Sequence, residues 1–354
     1  MSMPPQQRPP HWQQGPWSPQ SPPPLPAKNN TVKWLLIAVA ILLVIAVSVG
    51  ATLLFTRNSD GGGSTTASPV VASDVASAND TGPVAIIIED PTCNAYIDMN
   101  NSNAKIQRDW QTQRNTLGPA TQWAPDQRSL VEIVVTAIRN SANHAVDLAK
   151  QTPHRVMREL YEQYIAYGRA YADSIPSYVP DDNFLATAHV DFGNTLAGIC
   201  TTITTKSANR SLAVAPAPGP SGDSNVGNLA KPQKFIGSPN ANCDAWVSNE
   251  SGFLTASSEW QNLDTSVEGS RWTPEQRAIQ LAAYPILRAF GDGMGTIGHQ
   301  SGNPILEDFG LLGQLYLRAY TSAADGYVGS DSWLSYTGMR VSNAVTAACH
   351  SAAS

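Results

Sequence analysis

The chain has 354 residues, a formal net charge of −6, and 42% hydrophobic residues. Residues 1–57 contain four basic side chains and no acidic one, which leaves 18 basic and 28 acidic side chains in the remainder. An acidic C-terminal portion without basic clusters argues against nucleic acid as a partner.

Residues 1–32 are predicted to form a disordered, proline-rich cytoplasmic tail. Ten of the 26 prolines lie within residues 1–27, where few apolar side chains could form a core. The tail includes Pro16-Trp17-Ser18-Pro19 and Pro23-Pro24-Leu25-Pro26, which have the spacing that aromatic-lined grooves recognise. Both a dedicated partner for these motifs and a plain solvated tail fit this composition.

The run from Trp34 to Phe55 contains 22 residues and no charge. At about 1.5 Å rise per residue, such a run spans a hydrocarbon core of roughly 30 Å. We predict a transmembrane helix over residues 33–56, with a cleavable signal peptide as the alternative. Because Lys28 and Lys33 precede the run, the N-terminus is expected inside and the C-terminal part outside, as in a single-pass protein of the cell membrane.

Two segments bounded by cysteines have matching sequences. From residue 123 onwards the matches hold at an offset of 149 positions, and they include Trp123 with Trp272, Tyr167 with Tyr316, Asn194 with Asn343, and Cys200 with Cys349. A duplication of this length predicts paired domains over residues 83–204 and 240–354. A flexible stalk over residues 57–82 and a Pro/Gly/Ser-rich linker over residues 205–239 are expected to flank the first domain.

Four cysteines at matching ends of the two repeats predict two disulfides formed in an oxidising compartment. Pairing Cys93 with Cys200 and Cys243 with Cys349 is the only connectivity that closes each repeat on itself. Four free buried thiols are the alternative.

Apolar residues in both repeats recur at helical spacing, and helix-start signals occur in pairs. Thr273-Pro274-Glu275-Gln276 reads as a capping box, and Ala124-Pro125-Asp126-Gln127 is its weaker counterpart. A β-branched run at 84–88 is either a strand or an extended lead-in. We predict an all-α fold of two tandem four-helix-bundle repeats, each closed by a disulfide, with helices near 93–117, 125–150, 153–174 and 182–203, then 243–267, 274–298, 304–324 and 331–351.

The sequence contains no recognisable catalytic motif. It has no Gly-x-Ser-x-Gly element, and its six histidines lack metal-ligand spacing. Residues 98–109 begin like a calcium-binding loop but have Asn103 where such loops have glycine. We therefore predict no catalytic residue, no metal and no cofactor.

One segment of the first repeat differs in sequence from its counterpart in the second. His154, Arg158 and Glu162 are spaced four residues apart, so they share one face of a predicted helix. We predict this face as a binding site, and a solvated stripe with an Arg158–Glu162 pair is the alternative.

Three elements, Asp90–Cys93, Trp123–Arg128 and above all Thr152–Tyr167, carry a resemblance to a family of uncharacterised mycobacterial envelope proteins. These are proline-rich, single-pass proteins with cysteine-bounded helical exterior domains. The resemblance implies an envelope location and no activity. The leading hypothesis is a membrane-anchored, non-enzymatic protein that binds an envelope protein, a lipid or a wall component. Alternatives are an enzyme acting on a cell-wall polymer and a signalling adaptor that links the tail to an exterior ligand.

Overall fold

The computed structural model describes residues 74–211, 214–219 and 226–353. Within these residues the chain forms helices, short 3-10 turns and extended connections, and none of them is in a β-strand. The all-helical prediction is confirmed, and the run at 84–88 is an extended lead-in. The predicted tail and most of the predicted stalk lie outside the described residues.

The first half of the described chain, residues 74–211, contains four long helices. They are α1 (Cys93–Gln113), α2 (Pro125–Gln151), α3 (Arg155–Ser174) and α4 (Asn183–Thr204). Each helix packs against the next one along the chain, and α1 also packs against α4.

The second half, residues 226–353, repeats this arrangement. It contains α5 (Ala241–Ala256), α6 (Pro274–Gln300), α7 (Pro304–Ala323) and α8 (Ser332–Ala353), which pack on one another in the same order. The last three helices have 27, 20 and 22 residues, and α2, α3 and α4 have the same lengths. Equal lengths are what a duplication predicts.

Local sequence explains where these helices begin. Thr273 Oγ1 accepts a hydrogen bond from the Gln276 backbone N–H at 3.1 Å, and the Gln276 side chain accepts one from the Thr273 N–H at 3.0 Å. The capping box is therefore confirmed, with proline at the first helical position where its missing N–H costs no hydrogen bond.

Two disulfides close the two halves as predicted. The Cα atoms are 5.1 Å apart in Cys93–Cys200 and 5.4 Å apart in Cys243–Cys349. Each bond joins the start of the first helix of its half to the last helix.

The halves share a core. Helix α4 packs against α8, and α3 packs against α7. Phe192 in α4 and Phe309 in α7 are fully buried, with ring centroids 5.4 Å apart. Phe235, in the connection between the halves, packs against both rings at 6.0 and 5.4 Å. The described residues accordingly belong to one compact unit, and part of the predicted linker is a packed element.

The predicted localisation requires correction. None of the helices within the described residues is both long enough and apolar enough to cross a membrane. This finding contradicts the prediction of a single-pass protein of the cell membrane. The described helices pack apolar faces together and leave polar faces outside, as α2 does with Val134 buried and Glu132 exposed. The predicted span, Trp34–Phe55, lies outside the described residues.

Candidate functional site

The predicted binding face at the start of α3 is mostly buried. Arg158 is 1% exposed and Glu162 is 7% exposed, whereas His154, just before the helix, is half-buried. The prediction of a solvent-facing surface is therefore wrong for Arg158 and Glu162. The physical reason is that α3 contacts α2, α4 and α7, which leaves little of its surface open to water. A binding role for the three residues stays a prediction.

Arg155, the neighbour of His154, joins the two halves through a buried ion pair. Its Nε lies 2.7 Å and its Nη2 lies 3.2 Å from the two carboxylate oxygens of Asp308 in α7. The two side chains are 3% and 0% exposed. Arg155 Nη1 also donates to the backbone carbonyls of Asp80 and Gly82, at 2.8 and 3.1 Å. The guanidinium thus connects α3, α7 and the segment around residues 80–82 in one buried site.

Two further acids of α3 lie in the same buried region. Arg158 Nη1 is 3.1 Å from Glu162 Oε1, which confirms the predicted pair one helical turn apart. Burial raises the pKa of Glu162, and Arg158 opposes that rise. Burial, and next the Asp308 carboxyl, hold the pKa of Glu159 well above its usual range. This shift favours the protonated form of Glu159 beside Asp308.

His154 holds the chain that precedes the first helix. Its Nε2 lies 2.9 Å from the Glu89 carbonyl oxygen. In the second half the equivalent residue, Asn303, donates from Nδ2 to the Phe235 carbonyl at 2.8 Å. Because both halves use this position in the same way, the contact of His154 is explained by the fold.

A second buried polar cluster lies where α4 meets α8. Arg340 Nη1 lies 3.0 Å from Asp191 Oδ1, with side chains that are 23% and 8% exposed. Asn194 Nδ2 donates to the same Asp191 oxygen at 3.1 Å. Local sequence does not reveal this pair, although positions 191 and 340 are separated by the 149-residue offset of the matching segments and carry opposite charges.

Glu250 in α5 lies close to that cluster. It accepts hydrogen bonds from Ser342 Oγ at 3.1 Å and from Thr346 Oγ1, and it is 8% exposed. Burial raises the pKa of Glu250 to about 7, even though both hydrogen bonds favour its ionised form. This carboxyl is therefore positioned to change protonation near neutral pH.

An open groove of about 1010 Å³ runs along the outer face of α5 beside the Cys243–Cys349 disulfide. Small and polar side chains line it, among them Asp244, Ser248 and His350. It is separate from the buried ionic clusters described above.

The structure also bears on metal binding. Residues 98–109 lie within the continuous helix α1, so their backbone does not wrap around an ion as a calcium loop does. Across the ranges that the structure describes, no group of three or more His, Cys, Asp or Glu side chains is placed to hold a metal.

Residues 75–353 match the family described as "Mycobacterial ESX-1 associated protein". The chain belongs to this family. An uncharacterised protein of Mycolicibacterium smegmatis (strain MKD8) is 38% identical over 348 residues, which cover 97% of this chain and 92% of that protein. No solved structure matches the chain. The mycobacterial affiliation is confirmed, whereas the membrane and proline-rich features of the resemblance are not. The ESX-1 associated family match includes both halves and both ionic clusters.

Proposed function

We propose that this protein is a non-enzymatic binding protein that works with components of the ESX-1 secretion system. One observation carries the proposal: the family match extends over residues 75–353 and therefore covers the whole helical unit. In this proposal the two halves are tandem four-helix-bundle repeats that together form one docking body. The residues that match the family, 75–353, are then the same residues that form the two helical repeats.

The arrangement of charged side chains supports binding over catalysis. Arg155 is paired with Asp308, Arg158 with Glu162, and Arg340 with Asp191. The first and third pairs join different helices, the second pair lies within α3, and all three are mostly shielded from solvent, whereas a general acid or base must reach a substrate. The buried clusters therefore fit a structural role in a rigid docking body.

The test is recovery of partners from mycobacterial cells. The tagged full-length chain is crosslinked in intact cells, purified, and analysed by mass spectrometry against a strain that lacks the ESX-1 system. We expect secretion-system components to be enriched with the wild-type chain. The variant Phe309→Asp should disrupt the shared core and serves as the control for binding by the folded unit. Equal recovery with both chains, or no secretion component at all, would contradict the proposal.

A further inference from the structure

Equivalent residues of the two halves face each other across the seam, which we define as the α3–α7 and α4–α8 contacts. Asp191 and Arg340 are 149 positions apart, which is the offset that relates the repeats, and their side chains are 3.0 Å apart. Glu159 and Asp308 are separated by the same offset, and after burial the Asp308 carboxyl is the largest cause that raises the pKa of Glu159. Contact between equivalent positions is a property of residues on a two-fold axis.

Reciprocal electrostatic effects on either side of this axis support the same symmetry. Burial raises the pKa of Tyr167 in α3 and of Tyr316 in α7, and the rise is opposed by Ser351 of α8 at Tyr167 and by Thr202 of α4 at Tyr316. Each tyrosine and each partner is 149 positions from its equivalent. The backbone at Ile236 opposes the rise at Tyr167, and the backbone at Ile87 opposes it at Tyr316, and each isoleucine precedes the first long helix of the opposite half. In an isologous dimer interface, each contact between two residues is repeated by their equivalents on the other side of the two-fold axis.

We propose that the seam is a homodimer-type interface held within one chain, and that Asp191 and Arg340 make each half pair with the opposite half. In a self-paired first half, the same symmetry would place Asp191 against a second Asp191. In a self-paired second half, Arg340 would face a second Arg340. Juxtaposed like charges at an interface oppose association, whereas the native arrangement places opposite charges there.

The second axial contact opposes self-pairing of the second half. The carboxyl at the axis is Glu159 in the first half and Asp308 in the second, and Arg155 neutralises Asp308 from the first half. The position equivalent to Arg155 in the second half is Pro304. Two self-paired second halves would therefore bring two Asp308 carboxylates together without a guanidinium, which is costly in a buried site. The surface of each half thus fits one kind of partner, the other half.

The test keeps the whole chain and cuts it after folding. A protease site is introduced within residues 220–225, the chain is cleaved, and the two fragments are examined by native mass spectrometry and by dissociation on dilution. The cleaved wild type is expected to remain a complex of one first and one second fragment. Asp191→Arg should weaken that complex by about tenfold or more, since it creates a like-charge contact. The exchange Asp191→Arg with Arg340→Asp should recover most of the loss.

A neutral variant separates pairing specificity from general loss of structure. With Asp191→Asn the first fragment no longer carries the Asp191 charge at the axis, so complexes of two first fragments should appear after cleavage. Asp173→Arg, at an exposed pair away from the seam, should leave the complex as in the wild type. Circular dichroism shows whether each variant retains its helices. The proposal is overturned if cleaved wild type yields self-paired fragments, if the charge exchange recovers nothing, or if folded Asp191→Asn forms no first-fragment pairs.

Discussion

At the scale of single residues, the Arg155–Asp308 pair stands out because both partners are almost completely buried. Removing one partner of a buried pair leaves an uncompensated charge, and such changes typically cost about 3–5 kcal/mol. Arg155→Met keeps most of the side-chain volume and removes the charge. We expect it to lower the free energy of unfolding by roughly 3 kcal/mol, measured by urea denaturation.

A matched control is the exposed Arg139–Asp173 pair, whose side chains are 47% and 68% exposed. Arg139→Met should cost at most about 1 kcal/mol, because water screens this pair. Equal losses in the free energy of unfolding would contradict the prediction that the buried Arg155–Asp308 pair stabilises the fold more than the exposed Arg139–Asp173 pair does.

Glu250 gives a prediction about pH. Its folded-state pKa is raised from 4.5 to about 7, so the folded protein binds this proton more tightly than the unfolded chain. The contribution of the Glu250 proton to the stability of the fold is complete below about pH 4.5 and is lost as the pH rises to about 7. Among charged groups, Asp191 raises this pKa and Arg340 lowers it. Glu250→Gln should therefore be more stable than the wild type at pH 8, by an amount on the order of 2–3 kcal/mol, with little difference at pH 4.

Melting temperatures of both proteins between pH 4 and pH 8 test this prediction. The difference between the two proteins isolates Glu250, since Glu159 and Glu162 also have raised pKa values and titrate in both. If the melting temperatures of the two proteins differed by the same amount at every pH, the raised pKa of Glu250 would be contradicted.

At the scale of helices, local signals predicted where elements begin. Proline with a capping residue marks the starts of α2, α6 and α7, and each begins at the predicted residue. The end of α5 was missed: the prediction reached residue 267, whereas the helix ends at Ala256. The indole of Trp260 donates to Gln280 and Tyr320, and these contacts are distant in sequence. Helix ends set by such contacts cannot be derived from local pattern.

The buried environment of the α3 face is also set by contacts that are distant in sequence. Charged residues at helical spacing normally predict a solvated face. The partner of Arg155 is 153 residues away, so no window of local sequence contains both charges. The sequence pattern therefore predicted a solvent-exposed face where the structure has a buried one.

The glycines of α6 and α7 permit a close approach of these two helices. A Cβ atom at Gly310 would overlap the backbone carbonyl of Met294. Gly310→Ala should therefore force the helices apart and cost about 1–3 kcal/mol, measured as a fall in the free energy of unfolding. Gly252 in α5 has open space around it, so Gly252→Ala should be neutral or stabilise by up to about 1 kcal/mol through helix propensity. Equal effects at both positions would contradict close packing of α6 on α7.

At the scale of the whole molecule, the duplication was readable from the sequence but the seam was not. Matching sequence positions show that two copies exist. They do not show which helix faces of the two copies meet, because both copies share the surfaces involved. Phe192, Phe235 and Phe309 occur in separate segments and form one aromatic cluster only after the halves are packed. Independent folding of each half stays a prediction, and the shared cluster favours one cooperative unit.

The central claim is that the two halves form one core, and hydrogen exchange tests it most directly. The full-length chain is compared with its Phe309→Ala variant, which removes a fully buried ring from the second half. Amide protection is measured by mass spectrometry under native conditions. We expect protection to fall in α3 and α4 of the first half as well as in α6 to α8, because Phe309 packs against Phe192 across the seam. Loss of protection confined to the second half would contradict the shared core.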